Sequence, residues 1–411
     1  MFEYKTKKQK EFDNVNINGD VGDITEYTTA LFNLAIELKA SDIHIEPTRD
    51  YVLIRLRESG DFIYVDKIAH DEYAKLLSRL KIMSSLRIDE KQKPQDWKIA
   101  LNLPQDMFVD IRVSTIPVVN WEKVVMRVLV QDFSLIDMEK LNFLDVNLAK
   151  IKESLKSKYG MILIAGPTGS GKSTTLFGML KSFNPLDFNI TTLEDPVEYN
   201  MPYVNQTQIK KDIGFGFAEG LRSLVRQDPD IIMVWEIRDK ETAMLAIEAA
   251  LTGHLVLSTI HTNSAAGTIQ RLINMWIEPF LISSALKLVV SQRLVKRLCE
   301  KCKADYKIKD EVIIKKVWSY LNNVLDEKVE DITFNKWAWC SVCGNTWYKW
   351  RIWIQEVLVM DDSLDALILN KASVHDIEEK AKELGMLTIM QDGFIKAATK
   401  QTTVDEILKL I

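Results

Sequence analysis

Three stretches near the start of the chain alternate apolar and polar residues with a period of two. In 51-YVLIRLRESG-60, Val52, Ile54 and Leu56 share one face and Arg55 and Arg57 the other. In 107-MFVDIRVST-115, Met107, Val109, Ile111 and Val113 oppose Asp110 and Arg112. In 123-KVVMRVLV-130, Val124, Met126, Val128 and Val130 oppose Arg127. This pattern predicts half-buried strands. Upstream, Ile24, Leu31, Leu34, Ala35 and Leu38 have helical spacing. Residues 23–135 are therefore expected to form an α/β domain, preceded by a loose polar tail over 1–22. A linker is expected over 136–150. The pattern then changes. The near-continuous apolar runs 161-MILIA-165, 190-ITTLE-194, 230-DIIMV-234 and 255-LVLSTI-260 alternate with helical stretches. That predicts a parallel sheet covered on both faces over 151–298. Residues 299–354 hold the cysteines, and 355–411 read as an amphipathic helical segment.

The length of 411 residues suits two or three domains, and the net charge of −5 argues against a general nucleic-acid binder. MFEYKTKKQKEF carries no apolar signal region, and no apolar run reaches the roughly eighteen residues of a membrane span.

The stretch 166-GPTGSGKST-174 fits G-x-x-x-x-G-K-[ST] and lies between a predicted strand and a predicted helix, the setting in which such a loop cradles phosphates. Gly166, Gly169 and Gly171 would let backbone N–H groups approach, together with Thr168, Ser170 and Thr174. Lys172 would reach the β- and γ-phosphates of ATP, and Ser173 would hold Mg²⁺. Glu194 in LEDPVEY and Glu236 just past 230-DIIMV-234 lie near predicted strand C-terminal ends, where parallel sheets bind ligands. His254 and His261 bracket a further strand.

Together with 41-SDIHIEP-47, 94-PQDWKIAL-101, 110-DIRVSTIP-117, LRSLVRQDPDIIMVWEIRD, TGHLVLSTIHTNSA and 385-GMLTIMQDG-393, these motifs make the chain resemble the secretion ATPases of type II secretion and type IV pilus assembly. The resemblance implies an α/β fold: a RecA-like P-loop ATPase core, a PAS-like N-terminal α/β domain, a four-cysteine zinc region and a C-terminal helical segment. It implies that Glu194 and Glu236 orient or activate water, that His254 and His261 form a histidine box, and that Arg112 and Arg127, and after them Arg55 and Arg57, match N-domain arginines that approach the nucleotide. It further implies a cytoplasmic homo-hexamer at the inner face of the membrane. Its partners would be an inner-membrane platform protein and pilins or pseudopilins, with no direct contact to nucleic acid. Longer members carry an additional N-terminal domain that this chain is expected to lack. A competence-pilus motor for DNA uptake is a close alternative.

Cys299-x₂-Cys302 and Cys340-x₂-Cys343 suit a tetrahedral Zn²⁺ centre, and retraction-type relatives lack this region. The expected cofactors are thus ATP, Mg²⁺ and Zn²⁺.

Around the second cysteine pair, KWAWCSVCGNTWYKWRIWIQE carries tryptophan at 337, 339, 347, 350 and 353. In the family this stretch is rich in glycine, and the tryptophans at 97, 121, 235 and 276 also fall on family glycines. Trp318 lies in a variable insert. Glycine counts 16 of 411, about 4% against a usual ~7%, while tryptophan counts 10. The resemblance therefore implies glycine codons read as tryptophan, UGA being the expected codon. Were the tryptophans real, a non-hydrolysing aromatic and zinc binding module would be the competing reading.

Overall fold

The computed structural model describes residues 23–38, 40–58, 61–103, 107–119, 121–132, 137–198, 200–301, 303–322, 324, 329, 331–337 and 348–410. The chain divides into two compact units, Met1–Phe133 and Ser134–Ile411.

The first unit begins with α1 (Ile24–Glu37), whose N-cap Asp23 accepts from the Thr25 N–H at 2.8 Å. Strands β1 (Asp42–Pro47), β2 (Val52–Glu58) and β3 (Asp61–Ile68) follow, then α2 (His70–Met83), β4 (Gln95–Leu103), β5 (Met107–Pro117) and β6 (Glu122–Asp132). The strands form one antiparallel sheet in the order β3-β2-β1-β6-β5-β4. Ile54, Ile111, Val113 and Met126 bury against Leu31, Phe32, Tyr73 and Leu76 of the two helices. Arg112 and Arg127 face solvent, as the period-2 pattern requires.

The second unit opens on a 3-10 turn (Met138–Leu141) and α3 (Asp145–Leu155). The core follows as β7 (Gly160–Ala165), α4 (Lys172–Lys181), β8 (Ile190–Glu194), β9 (Asn205–Gln208), α5 (Phe217–Leu224), β10 (Ile231–Val234), α6 (Lys240–Leu251), β11 (Leu255–Ile260), α7 (Ala265–Asn274) and α8 (Pro279–Ala285). It ends with β12 (Leu286–Leu298), β13 (Lys303–Tyr306), α9 (Glu311–Leu321), β14 (Phe334–Trp337), β15 (Tyr348–Val359), α10 (Asp362–Leu369), α11 (Val374–Glu383), α12 (Ile389–Ala398) and α13 (Val404–Leu408). The seven-stranded sheet runs β15-β12-β7-β11-β10-β8-β9. All its pairings are parallel except that of β15 with β12. Every residue of β7, β8, β10 and β11 is buried, which accounts for the apolar runs of β7, β10 and β11, while β8 also buries Thr191, Thr192 and Glu194.

The structure corrects the zinc expectation. Among the described residues no group of three or more His, Cys, Asp or Glu is placed to hold a metal ion. Cys299 is buried just past the end of β12. Cys302, Cys340 and Cys343 lie outside the described residues. The fold class is accordingly a RecA-like P-loop core with mixed sheets, and among the described residues neither a four-cysteine zinc region nor a site for Zn²⁺ is found. The physical reason lies in the packing. The segment around the cysteines has an apolar core of its own, in which Val295, Val317, Phe334, Ile352, Phe394 and Ile407 cluster. Strand β15 also belongs to the main sheet, paired with β12 from Leu298↔Tyr348 to Leu288↔Val359.

Candidate active site

The phosphate loop connects the C-terminal end of β7 to α4. Gly169 and Gly171 adopt φ of 79° and 83°, in the left-handed region that glycine occupies without strain. A Cβ at Gly166 would sit 2.5 Å from Ser170 Oγ and 2.7 Å from the Gln292 carbonyl oxygen, so the turn closes only around glycine. Gly171 caps α4, whose first residue is Lys172. Ser173 and Thr174 follow in its first turn, where free N–H groups favour an anion.

Lys172 Nζ donates to the carbonyls of Gly166 at 3.0 Å and Pro167 at 3.1 Å, so the loop folds back around its own cation. The same Nζ stands 3.5 Å from His261 Nε2. His261 Nε2 in turn lies 3.0 Å from Glu236 Oε1. Arg238 closes the row, with Nη2 2.6 Å from Glu236 Oε2. Burial lowers the Lys172 ammonium from its usual range, and Glu236 opposes that shift. Burial, then the Lys172 charge, lowers the His261 imidazole. Glu194, at the end of β8, is fully buried. Its Oε1 accepts from Thr192 Oγ1 at 2.6 Å and Gln206 Nε2 at 2.8 Å, while burial raises the carboxyl.

Backbone threading places these groups. The Trp235 N–H donates to the Leu193 carbonyl at 2.9 Å, and Thr259 Oγ1 donates to the Trp235 carbonyl at 2.6 Å. The segment carrying Glu236 is thus held between the ends of β8 and β11.

The structure brings Lys172, His261 and Glu236 together and does not bring His254 to them. His254 precedes β11, at the N-terminal ends of the parallel strands, where its carbonyl accepts from the Gly160 N–H at 3.1 Å and its Nδ1 lies 2.8 Å from the Ala249 carbonyl. A cleft lined by Lys152, Lys181, Phe183, Ile231 and Leu255 opens at these same strand ends, away from the phosphate loop. In the first unit, Arg127 pairs with Asp42 at 3.2 Å and Arg112 with Asp110 at 4.0 Å. Arg55 bonds Glu46, and Arg55 and Arg57 stack over Phe62 at 4.0 and 4.2 Å.

Sequence reasoning missed residues that hold the loops. Gln292 donates from Nε2 to the Ser170 carbonyl at 2.9 Å and accepts from Thr175 Oγ1 at 2.8 Å, both buried contacts. Arg293 donates to the Asn263 carbonyl at 3.0 Å and to its Oδ1 at 3.2 Å. Glu356 is buried and accepts from the Ala265 N–H at 2.6 Å and the Ile389 N–H at 3.2 Å. The available signal was polarity. Ser291, Gln292 and Arg293 interrupt the apolar run LKLVVSQRLV, and Gln355 and Glu356 interrupt IWIQEVLV.

The family model for type II/IV secretion system proteins matches residues 18–409. The chain belongs to the type II secretion and type IV pilus assembly ATPase family. This is a family of ATP-hydrolysing hexameric motors. A type IV pilus assembly ATPase of Myxococcus xanthus is 42% identical over 404 residues, covering 98% of this chain and 70% of that protein. One from Thermus thermophilus is 44% identical over 369 residues, covering 90% and 41%. The type II secretion system protein E of Xanthomonas campestris is 42% identical over 376 residues, covering 92% and 65%. Among solved structures, the pilus retraction motor PilT with bound ADP shares the fold, with a TM-score of 0.62 at 24% identity over 93% of this chain and 96% of that one. No helix among the described residues is long and apolar enough to cross a membrane.

Proposed function

We propose that this chain is the ATP-hydrolysing subunit of a hexameric ring that drives assembly of a type IV pilus or a type II secretion pseudopilus. The ring works on the cytoplasmic face of the membrane against a platform protein and pilin-like subunits. The observation that carries the reading is the row Lys172–His261–Glu236–Arg238 at the mouth of the phosphate loop.

ATP and Mg²⁺ fit the residues present. The glycine cradle and the first turn of α4 suit a polyphosphate, and the Ser173 hydroxyl would hold Mg²⁺. Mg²⁺, when bound, would neutralise charge developing on the phosphates. Lys172 holds the phosphates by charge and leaves its loop carbonyls to do so. Glu236 orients water through its carboxylate, with one oxygen held by Arg238 and the other facing His261. His261 senses the terminal phosphate between Lys172 and Glu236. Glu194 is walled in by Thr192 and Gln206 and, with its carboxyl raised by burial, is suited to taking a proton.

The test is Mg²⁺-dependent release of phosphate from ATP by the purified ring. Lys172→Ala should abolish nucleotide binding along with turnover. Absence of Mg²⁺-dependent turnover in the parent protein would overturn the reading.

A further inference from the structure

Two left-handed backbone sites, of the kind that favours glycine, carry tryptophan. The first closes α7. The Ile277 N–H donates to the Leu272 carbonyl at 3.2 Å and the Trp276 N–H to the Ile273 carbonyl at 2.9 Å, the pair of bonds that defines a Schellman motif. Trp276 is its left-handed residue, with φ of 64°, and its side chain is 79% exposed. Gly385 fills the same place after α11, with φ of 82°. Lys371, Lys400 and Ser85 also take left-handed positions of this kind, so φ alone does not decide.

The second site is independent of the first. In the β12–β15 pairing, Lys296 faces Arg351 but Leu298 faces Tyr348, so the register slips and β15 gains one residue over β12. Trp350 lies in this bulge with φ of 75° and is 76% exposed. Glycine is the residue that bulges with a left-handed position use. Exposure this large means that neither indole is held by packing.

A third tryptophan presses on the phosphate loop. A Cβ at Gly171 would lie 2.4 Å from Trp353 Nε1 and 3.0 Å from its Cε2, so the indole lies against the N-cap of α4. Its Nε1 is buried and has no hydrogen-bond partner among the described residues, a costly state for an indole N–H. Trp121, by contrast, is packed, stacking on His70 at 5.2 Å.

We infer that at positions 276, 350 and 353 a codon rendered as tryptophan is read as glycine when the chain is made, so that these positions are glycines in the working protein. Glycine removes the strain at 276 and 350. At 353 it clears the indole from the start of α4, beside the residues that hold phosphate. The deficit of glycine, 16 against 10 tryptophans, has the same explanation.

The test is the mass of two tryptic peptides of the protein isolated from its own cells. Leu272–Lys287 contains only position 276 as tryptophan, and Ile352–Lys371 only position 353. Glycine masses for both support the inference. A tryptophan mass for either overturns it. Neither outcome depends on whether the protein hydrolyses ATP.

A separate observation concerns the loop that carries His261. Its following residues are fastened from β12 and β15: Arg293 binds Asn263, and Glu356 binds the first N–H of α7. The second oxygen of Glu356 binds the first N–H of α12, which ties the loop to the C-terminal helices. We propose that Arg293 and Glu356 are positioning residues that set His261 against Glu236. This rests on the role given to His261 above. Glu356→Gln replaces one acceptor by a donor facing an N–H. It should lower kcat at least tenfold with KM for ATP little changed, and shift the acid limb of the kcat profile. Arg293→Lys should give a milder loss of the same kind. A lowered Tm with kcat, KM and pH profile unchanged in both variants would overturn the proposal. Loss of the parent's turnover on His261→Ala with no effect of either variant would separate its failure from that of the site itself.

Discussion

His261 Nε2 lies 3.0 Å from Glu236 Oε1 and 3.5 Å from Lys172 Nζ, bridging the cation of the phosphate loop and the acid that follows β10. Burial and the Lys172 charge lower its imidazole, so it is neutral at pH 7 and gains a proton only below its ordinary range near ~6.5. Turnover should therefore hold as pH falls through that range and drop only at more acid values. His261→Ala should lose roughly 10²-fold in kcat and flatten the acid limb. Steady-state profiles of kcat against pH check both.

The Gly166 turn admits no side chain, because a Cβ would lie 2.5 Å from Ser170 Oγ and 2.7 Å from a backbone oxygen on β12. Gly166→Ala should raise KM for ATP or abolish binding, and lower stability by about 1–3 kcal/mol. Isothermal titration with ATP and a thermal melt measure the two effects separately.

Gln292 is a buried partner of both the Ser170 carbonyl and the Thr175 hydroxyl. Gln292→Leu leaves both without their bonds, at about 1–3 kcal/mol. The expected result is a KM for ATP raised several-fold, with a smaller change in kcat. Steady-state kinetics distinguish this from a uniform loss.

Asp392 and Lys396 form a buried pair at 2.7 Å beneath β15, where Lys396 also donates to the Trp353 carbonyl at 2.7 Å. Burial pushes the Asp392 carboxyl up to about 6 and lowers Lys396. A carboxyl raised in this way binds its proton more tightly in the folded protein. Its contribution to stability is present at the acid end, below the ordinary carboxylate range near ~3.9, and is lost as pH rises through about 6. Asp392→Asn removes this dependence, so its stability relative to the parent should improve from pH 4 to 6. Lys396→Met leaves a buried acid without its cation and should cost about 3–5 kcal/mol. Denaturant melts across that pH window read both.

The sequence made some features legible and hid others for physical reasons. Period-2 alternation located β2, β5 and β6 because one face of that sheet is buried and the other wet. The buried strands β7, β8, β10 and β11 showed as apolar runs, and the phosphate loop by its glycines. Spacing alone could not place His254, because bracketing a strand puts one residue at each of its two ends. The zinc expectation rested on cysteine spacing and resemblance. The apolar cluster around Phe334 and Phe394 draws on residues far apart in sequence, which spacing does not reveal. Gln292, Arg293 and Glu356 were hidden because their value lies in the loops they hold, from strands distant in sequence.

The most direct measurement compares ATP binding and ATP turnover in Glu236→Gln. The amide keeps the shape of the carboxylate and removes its charge. The account predicts that turnover falls by at least roughly 10²-fold while ATP binding stays within a few-fold of the parent. Turnover equal to that of the parent would contradict it.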